Sequence, residues 1–200
     1  GRSNNNDYKY DITNAIQDFG ERFDVVIHNA GKAHSIPQNL SEIDSFYKVN
    51  YHGTVNLLKA LENHPPNSFI FISTVAVYGL SEGTNITEES TLLAADPYGK
   101  SKILAENAVI DWCKKKNVKC TILRLPLVVG KNAPGNLGAM VQAIKKGYYF
   151  NIGDGTARKS MILSTDIPKV IEKAIGVEGI FNLSDGYHPS FKEISGLIGN

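Results

Sequence analysis

The chain has 200 residues, of which 42% are hydrophobic and 20% charged, and its formal net charge is +1. That composition fits a globular fold of one to one and a half domains, with no electrostatic case for nucleic acid or an anionic membrane as partner. No apolar run reaches the roughly 18 residues of a membrane helix, and no secretory leader is visible.

In chain order, Phe23-Asp24-Val25-Val26-Ile27-His28 reads as a short buried strand running into Asn29-Ala30-Gly31. A long helix is predicted over 41–61, with Ser41 as its cap and Ile43, Phe46, Tyr47, Val49 and Asn50 opening its inner face. Pro65-Pro66-Asn67 stops it. Residues 68–73 form the next strand, whose apolar run Phe69-Ile70-Phe71-Ile72 ends in Ser73-Thr74. Asp96-Pro97 then opens a helix that runs to about Lys116. The β-branched stretch 117–125 is a further strand. Lys114-Lys115-Lys116 and Lys145-Lys146 fall at helix C-termini, where cations suit the macrodipole.

After Gly130 the elements shorten. The pattern predicts a helix over 136–146 and strands over 148–152, 161–163 and 180–183, the last two around a helix over 166–175. Near-continuous apolar strands alternating with helices imply an α/β fold with a parallel sheet covered on both faces. Ligands bind such sheets beyond the carboxyl ends of the strands. The expected organisation is a first domain over 1–130 and a smaller lobe over 131–200.

Cys113 falls in a helix and Cys120 in a strand, at a spacing that matches no metal or redox motif. A reduced, cytoplasmic protein without a metal is the expectation.

The candidate chemistry lies in Tyr98-Gly99-Lys100-Ser101-Lys102. Tyr98 and Lys102 are four residues apart on a predicted helix, so they share one face. A phenol, an ammonium and the hydroxyls of Ser73 and Thr74, brought together, can move a proton to or from an alcohol or carbonyl. On the pair alone, a solvated helix face is the competing reading.

Six segments in order carry a resemblance: Tyr10-Asp11-Ile12; Val26 to His34; Tyr47-Lys48-Val49-Asn50-Tyr51-His52-Gly53-Thr54; Phe71 to Gly79; Asp96-Pro97-Tyr98 to Lys102; and Leu123-Arg124-Leu125-Pro126-Leu127-Val128-Val129-Gly130. Together they resemble the extended short-chain dehydrogenase/reductase family, in its NAD-dependent nucleotide-sugar epimerase/dehydratase branch. The resemblance implies a Rossmann-like doubly wound sheet, here without its first strands, and a C-terminal substrate-binding lobe.

It also implies roles. Tyr98 is the general acid/base, with Lys102 lowering its pKa and anchoring the nicotinamide ribose. Thr74 bonds the reacting oxygen, and Ser73 assists or packs. Asn50 holds water or Lys102, with a plain mid-helix polar residue as the rival reading. Asp11 and Ile12 meet adenine. Asn29, Ala30 and Gly31 run past the cofactor, NAD or NADP, and Pro126 with the backbone through Val128 meets the carboxamide. Lys32 lies near its phosphates or is simply solvated. His28 packs at the strand end, while His34 and His52 have no readable partner. For a nucleotide-diphosphate sugar, Arg158 and Lys159 grip the diphosphate, Asn136 faces the nucleotide, and Phe150 with Tyr149 walls the base. A homodimer through the two long helices is expected, with Tyr47, Leu57, Leu58, Ile103 and Ile110 either at that interface or turned to their own sheet.

Three departures matter. The family's GxxGxxG segment, which cradles the cofactor diphosphate, is not in this sequence, so a longer parent chain is expected. Val75-Ala76 stand where dehydratases of the branch carry Asp-Glu, which argues against water elimination. Leu127 stands where many epimerases carry Asn, a pattern similar to 4-keto-sugar reductases. The expected activity is 4-epimerisation through a transient 4-keto sugar, with NAD(P)H-dependent 4-keto reduction as the alternative and a non-catalytic binding protein as a third.

Overall fold

The computed structural model describes residues 7–33, 35–130, 135–150 and 154–199. The chain divides into two units, the first holding residues 1–124 and 171–182, the second 125–170 and 183–200.

The first unit is built on a sheet of four strands in the order β1 (Val25–His28), β2 (Ser68–Thr74), β3 (Lys119–Leu125) and β6 (Gly179–Asn182). β1 runs parallel to β2, and β3 parallel to β6. Every residue of β2 from Ser68 to Ser73 is buried, which is why its sequence is a continuous apolar run rather than an alternation. β6 pairs with β3 from Thr121↔Gly179 to Arg124↔Asn182. The chain therefore returns to the first unit at residue 171, and a linear division at residue 130 does not describe it.

The first long helix is α1 (Leu40–Phe46), a π-helical stretch (Tyr47–His52) and α2 (Gly53–Ala60) in unbroken succession. Asn39, not Ser41, caps it: its backbone is extended and its side chain accepts from the Glu42 N–H at 3.0 Å. In the π stretch, the Gly53 N–H bonds the Lys48 carbonyl five residues back. A β-carbon on Gly53 would come within 3.0–3.3 Å of Ile12, so glycine lets the 11–13 turn approach the helix.

α3 (Pro97–Lys116) is capped by the Asp96 carboxylate, which accepts from the Gly99 N–H at 3.0 Å. It ends at Asn117 in the left-handed conformation, with the three lysines in its last turn. Ala105, Val109, Trp112 and Cys113 of α3 pack with Phe69, Phe71, Ile122, Leu58 and Leu61 into one apolar core. Leu58 is buried in that core, and Leu57 and Ile110 pack against it, so these three face their own sheet. Tyr47 and Ile103 are half-buried.

The second unit pairs β4 (Leu127–Val129) in parallel with β5 (Met161–Leu163). α4 (Gly135–Lys145) and α6 (Phe191–Gly199) bring Leu137, Met140 and Ile194 against Met161. α5 (Ile167–Ala174) follows β5. The sequence pattern had not marked α6. The strand expected over 148–152 is absent at 148–150, and its remaining residues lie outside the described part. Tyr149 packs on the core of this unit instead, while Phe150 is 82% exposed.

Candidate active site

The carboxyl end of β2 is set, residue by residue, against one face of α3. The Ile72 carbonyl accepts from the Lys102 ammonium at 2.7 Å. The Ser73 hydroxyl donates to the Glu106 carboxylate. The Thr74 hydroxyl stands near enough to the Tyr98 phenol to favour its ionised form. Tyr98, Lys102 and Glu106 stand at successive four-residue steps of the helix, which puts them on one face.

Local chemistry fixes each contact. Thr74 caps a short 3₁₀ turn, Val75–Tyr78, by accepting from the Ala76 N–H at 3.2 Å, which orients its hydroxyl. Gly99 brings α3 against this turn: a β-carbon there would lie 2.5 Å from Ala94 Cβ and 2.9 Å from the Ala76 oxygen. Gly79 ends the turn at φ +68°, where a side chain would collide with the Leu93 carbonyl at 2.3 Å.

Burial raises the Tyr98 pKa above its ordinary value of 10.0, the Asp96 charge adds to this, and the Thr74 hydroxyl opposes it. The phenol is therefore neutral at pH 7. Burial, Asp96 and Thr74 are the groups that set this shift. The Lys102 ammonium is held on Ile72 and 3.9 Å from the centre of the Phe71 ring. Burial lowers the Lys102 pKa to about 8, with the Glu106 charge opposing the fall. At pH 7 that leaves about ten cations for each neutral amine.

Asn50 is 1% exposed and bonds neither Lys102 nor a free space. Its Oδ1 accepts from the Lys32 N–H at 2.6 Å, and its Nδ2 donates to the Lys32 carbonyl at 3.0 Å and to Ser101 Oγ at 2.9 Å. Ser101 in turn donates to the Tyr98 carbonyl at 2.7 Å. Asn50 thus ties the loop after β1 to the helix of Tyr98, a positioning role that the sequence reading did not anticipate.

Ile12, Asn29, Ala30, Gly31 and Lys32 line a cavity of about 740 Å³ at the carboxyl end of β1, with Tyr8, Tyr10 and Phe19 also on its wall. A nucleoside-sized ligand fits that volume. Asp11 does not line it; its carboxylate accepts from the Thr13 N–H and hydroxyl at 3.0 and 2.8 Å. The Lys32 ammonium donates to Ser45 Oγ at 2.6 Å and lies over the Phe46 ring, and the residue is half-buried.

His28 is 3% exposed, is hydrogen-bonded to Thr54 Oγ1 at 2.8 Å and lies against Phe69 and Phe71. Burial pushes its pKa down to about 3, so it is a neutral packing residue at the strand end. His34 lies outside the described residues, and His52 is exposed.

The remaining candidates belong to the second unit. Val128 pairs with Ile162 in the β4–β5 ladder, and Pro126 precedes β4. Arg158 donates to the His188 carbonyl at 2.8 Å and faces Glu193 at 3.5 Å. Lys159 is exposed, and its N–H bonds the Pro189 carbonyl at 3.0 Å. The Asn136 side chain lies outside what the structure describes. Among the described residues no cluster of His, Cys, Asp and Glu could hold a metal, and no helix is long and apolar enough to cross a membrane.

Three residues of the site were given no role of their own by the sequence reading: Ser101, Glu106 and Arg124. The Arg124 guanidinium grips Glu106 from β3, Nη2 to Oε2 at 2.7 Å and Nε to Oε1 at 3.2 Å, with both side chains at 1–2% exposure. A charged residue inside the apolar run Cys120-Thr121-Ile122-Leu123-Arg124-Leu125, and an acid one turn beyond Lys102, were the available signals.

The NAD dependent epimerase/dehydratase family model matches residues 2–183. The UDP-glucose 4-epimerase of Vibrio cholerae is 30% identical over 180 residues, covering 85% of this chain and 54% of that protein. UDP-arabinose 4-epimerase 1 of Arabidopsis thaliana is 31% identical over 203 residues, covering 86% and 47%. The structure of RMD from Pseudomonas aeruginosa complexed with NADPH superposes with a TM-score of 0.79 at 25% identity, covering 96% of this chain and 71% of that one. The chain spans about half the length of the curated relatives it matches.

Proposed function

The chain belongs to the NAD dependent epimerase/dehydratase family, and from that premise we propose that the protein is an NAD-dependent sugar-nucleotide 4-epimerase. The observation that carries the reading is the helix face of Tyr98, Lys102 and Glu106 set against Ile72, Ser73 and Thr74 at the carboxyl end of β2. An acid/base beside a hydroxyl anchor is what a reaction at a sugar carbinol requires.

In this reading Thr74 holds the O4 oxygen of the sugar and Tyr98 takes its proton. NAD, when bound, would be the acceptor for the hydride leaving C4 and its donor on return. Tyr98 gives the proton back once the 4-keto sugar has turned its other face. The neutral phenol is the acid form. The base form needs a cation beside it, and Lys102, a cation at pH 7 on the same face of α3, is the residue able to supply one. Val75 and Ala76 hold no acid or base beside Thr74, so water is not eliminated.

The cavity beside β1 suits the nucleoside end of the dinucleotide, with Ile12, Asn29, Ala30, Gly31 and Lys32 on its wall. Asp11 positions the turn before it, and Ser73 and Lys102 serve the nicotinamide end. Arg158, Lys159, Asn136 and Phe150 are assigned to the nucleotide diphosphate of the substrate. NADP remains a candidate because the superposed RMD holds NADPH. A cytoplasmic homodimer acting on a nucleotide-diphosphate sugar completes the proposal. Leu127 favours one second reading, an NAD(P)H-dependent 4-keto-sugar reductase.

The test is incubation of full-length protein with UDP-sugars and NAD. Formation of the 4-epimer without net change in NADH supports the epimerase. Stoichiometric loss of NAD(P)H with a 4-keto sugar supports the reductase. Neither change, with intact fold, would sink both.

A further inference from the structure

Glu106 and Arg124 form a buried ion pair that no proposed step uses. Taking two charges out of water is costly, and apolar residues of similar volume commonly serve stability as well. The pair is not isolated. Arg124 also donates from Nη1 to the Tyr78 hydroxyl at 2.8 Å and to the Glu88 carbonyl at 3.2 Å, and Tyr78 donates to Asn182 Oδ1 at 2.8 Å. The guanidinium is thus fixed from three sides, and it fixes the carboxylate. The carboxylate then faces the site: it receives the Ser73 hydroxyl, between the residue that seats Lys102 and the residue that stands near Tyr98.

We propose that Glu106 is a positioning residue of the active site, holding the end of β2 to α3 through Ser73 and supplying the anion one helical turn from Lys102. The proposal rests on the reading of Tyr98, Thr74 and Lys102 as the reacting centre. Its physical content is that Lys102 needs an anion to remain charged in an apolar seat. The groups around it leave one source. Phe71 and the Ile72 carbonyl on β2 carry no formal charge. His28 on β1 is neutral. Arg124 on β3 is a cation. Tyr98 on α3 is an uncharged phenol. Glu106 is the group whose charge raises the Lys102 pKa against desolvation. Arg124 holds that carboxylate in place from β3.

The experiment follows the ionisation of Lys102 directly, by NMR of its side-chain ¹³Cε signal in full-length protein, with Lys102→Arg as the blank that assigns the signal. Glu106→Gln keeps the size and a hydrogen-bond acceptor for Ser73 but removes the charge. It leaves Arg124 buried and unpaired, so the double variant Glu106→Gln/Arg124→Met is measured beside it and reports even if the single variant does not fold. The expected result is a fall of the Lys102 midpoint by about one pH unit or more in the variants that fold, and its return in Glu106→Asp. A midpoint unchanged in the folded double variant overturns the proposal. The measurement needs no turnover. A positive titration alongside an inactive or differently active enzyme would therefore leave the geometry standing and remove only the reading of the reaction.

Discussion

The Lys102 ammonium donates to the carbonyl oxygen of Ile72 at 2.7 Å, so the cation of α3 is seated on the last turn of β2's ladder and not on the phenol four residues before it. Two consequences are measurable. The first concerns stability. Lys102 is 4% exposed, and its pKa falls from 10.5 to about 8. Between those values the unfolded chain binds more protons than the folded one, so this residue makes stability rise with pH from about 8 to 10.5. Below pH 8 it costs about 3 kcal/mol. Lys102→Met is expected to be more stable than the parent at pH 7, and urea melts should show the gap closing as pH rises to 10.5.

The second consequence is catalytic. The same Lys102→Met variant is expected to lose turnover while gaining stability, because the proposed reaction needs the Lys102 cation to favour the phenolate. In the parent, kcat should fall as pH rises through the Lys102 midpoint near 8. A profile flat from pH 7 to 10 would remove Lys102 from the mechanism.

Tyr98→Phe deletes the phenol oxygen and leaves the ring beside Phe46. Turnover is expected to drop by roughly 10²–10⁴, the usual contribution of a positioned acid/base, with the circular dichroism spectrum unchanged. Full turnover in this variant would remove Tyr98 as the acid/base.

Asn50→Ala strands the Lys32 N–H and carbonyl, which the side chain now satisfies from one amide. The expected loss is about 1–3 kcal/mol in denaturant melts, with increased hydrogen exchange in the loop after β1. Ser101→Ala is expected to cost less, and the two losses should not add, because Asn50 and Ser101 share a bond.

His28 makes the protein acid-sensitive. Its pKa falls from 6.5 to about 3 on burial, so stability is complete above pH 6.5 and is lost as pH drops toward 3. The group is expected to account for roughly 4 kcal/mol over that window. His28→Gln, which can still bond Thr54, should flatten the slope of unfolding free energy against pH between 6.5 and 3. An unaltered slope would assign acid sensitivity to other groups.

Gly99→Ala tests how closely α3 approaches the turn after β2. The added methyl meets Ala94 Cβ at 2.5 Å and the Ala76 oxygen at 2.9 Å. The expected cost is about 1–3 kcal/mol, and the shift of Tyr98 away from Thr74 should lower kcat more than it raises KM.

Much of this protein is determined within short windows of its sequence. The apolar run of Phe69 to Ile72, the Asp96-Pro97 start of α3 and the four-residue step from Tyr98 to Lys102 depend on side-chain periodicity and capping, which are local. Those features sufficed to expect a parallel α/β sheet with its chemistry beyond the strand ends. Tertiary structure decided the partners. Lys102 chose a carbonyl of β2 over the phenol, Asn50 chose the Lys32 backbone, Arg124 met Glu106 from another strand, and β6 came back to the edge of β3. In each case the residues are 18 to 58 positions apart in the chain, as Asn50 with Lys32 and Thr121 with Gly179 are. Periodicity assigns a residue to a face, but only the packed register of β2, β3 and α3 brings a given donor within reach of a given acceptor and withdraws both from water.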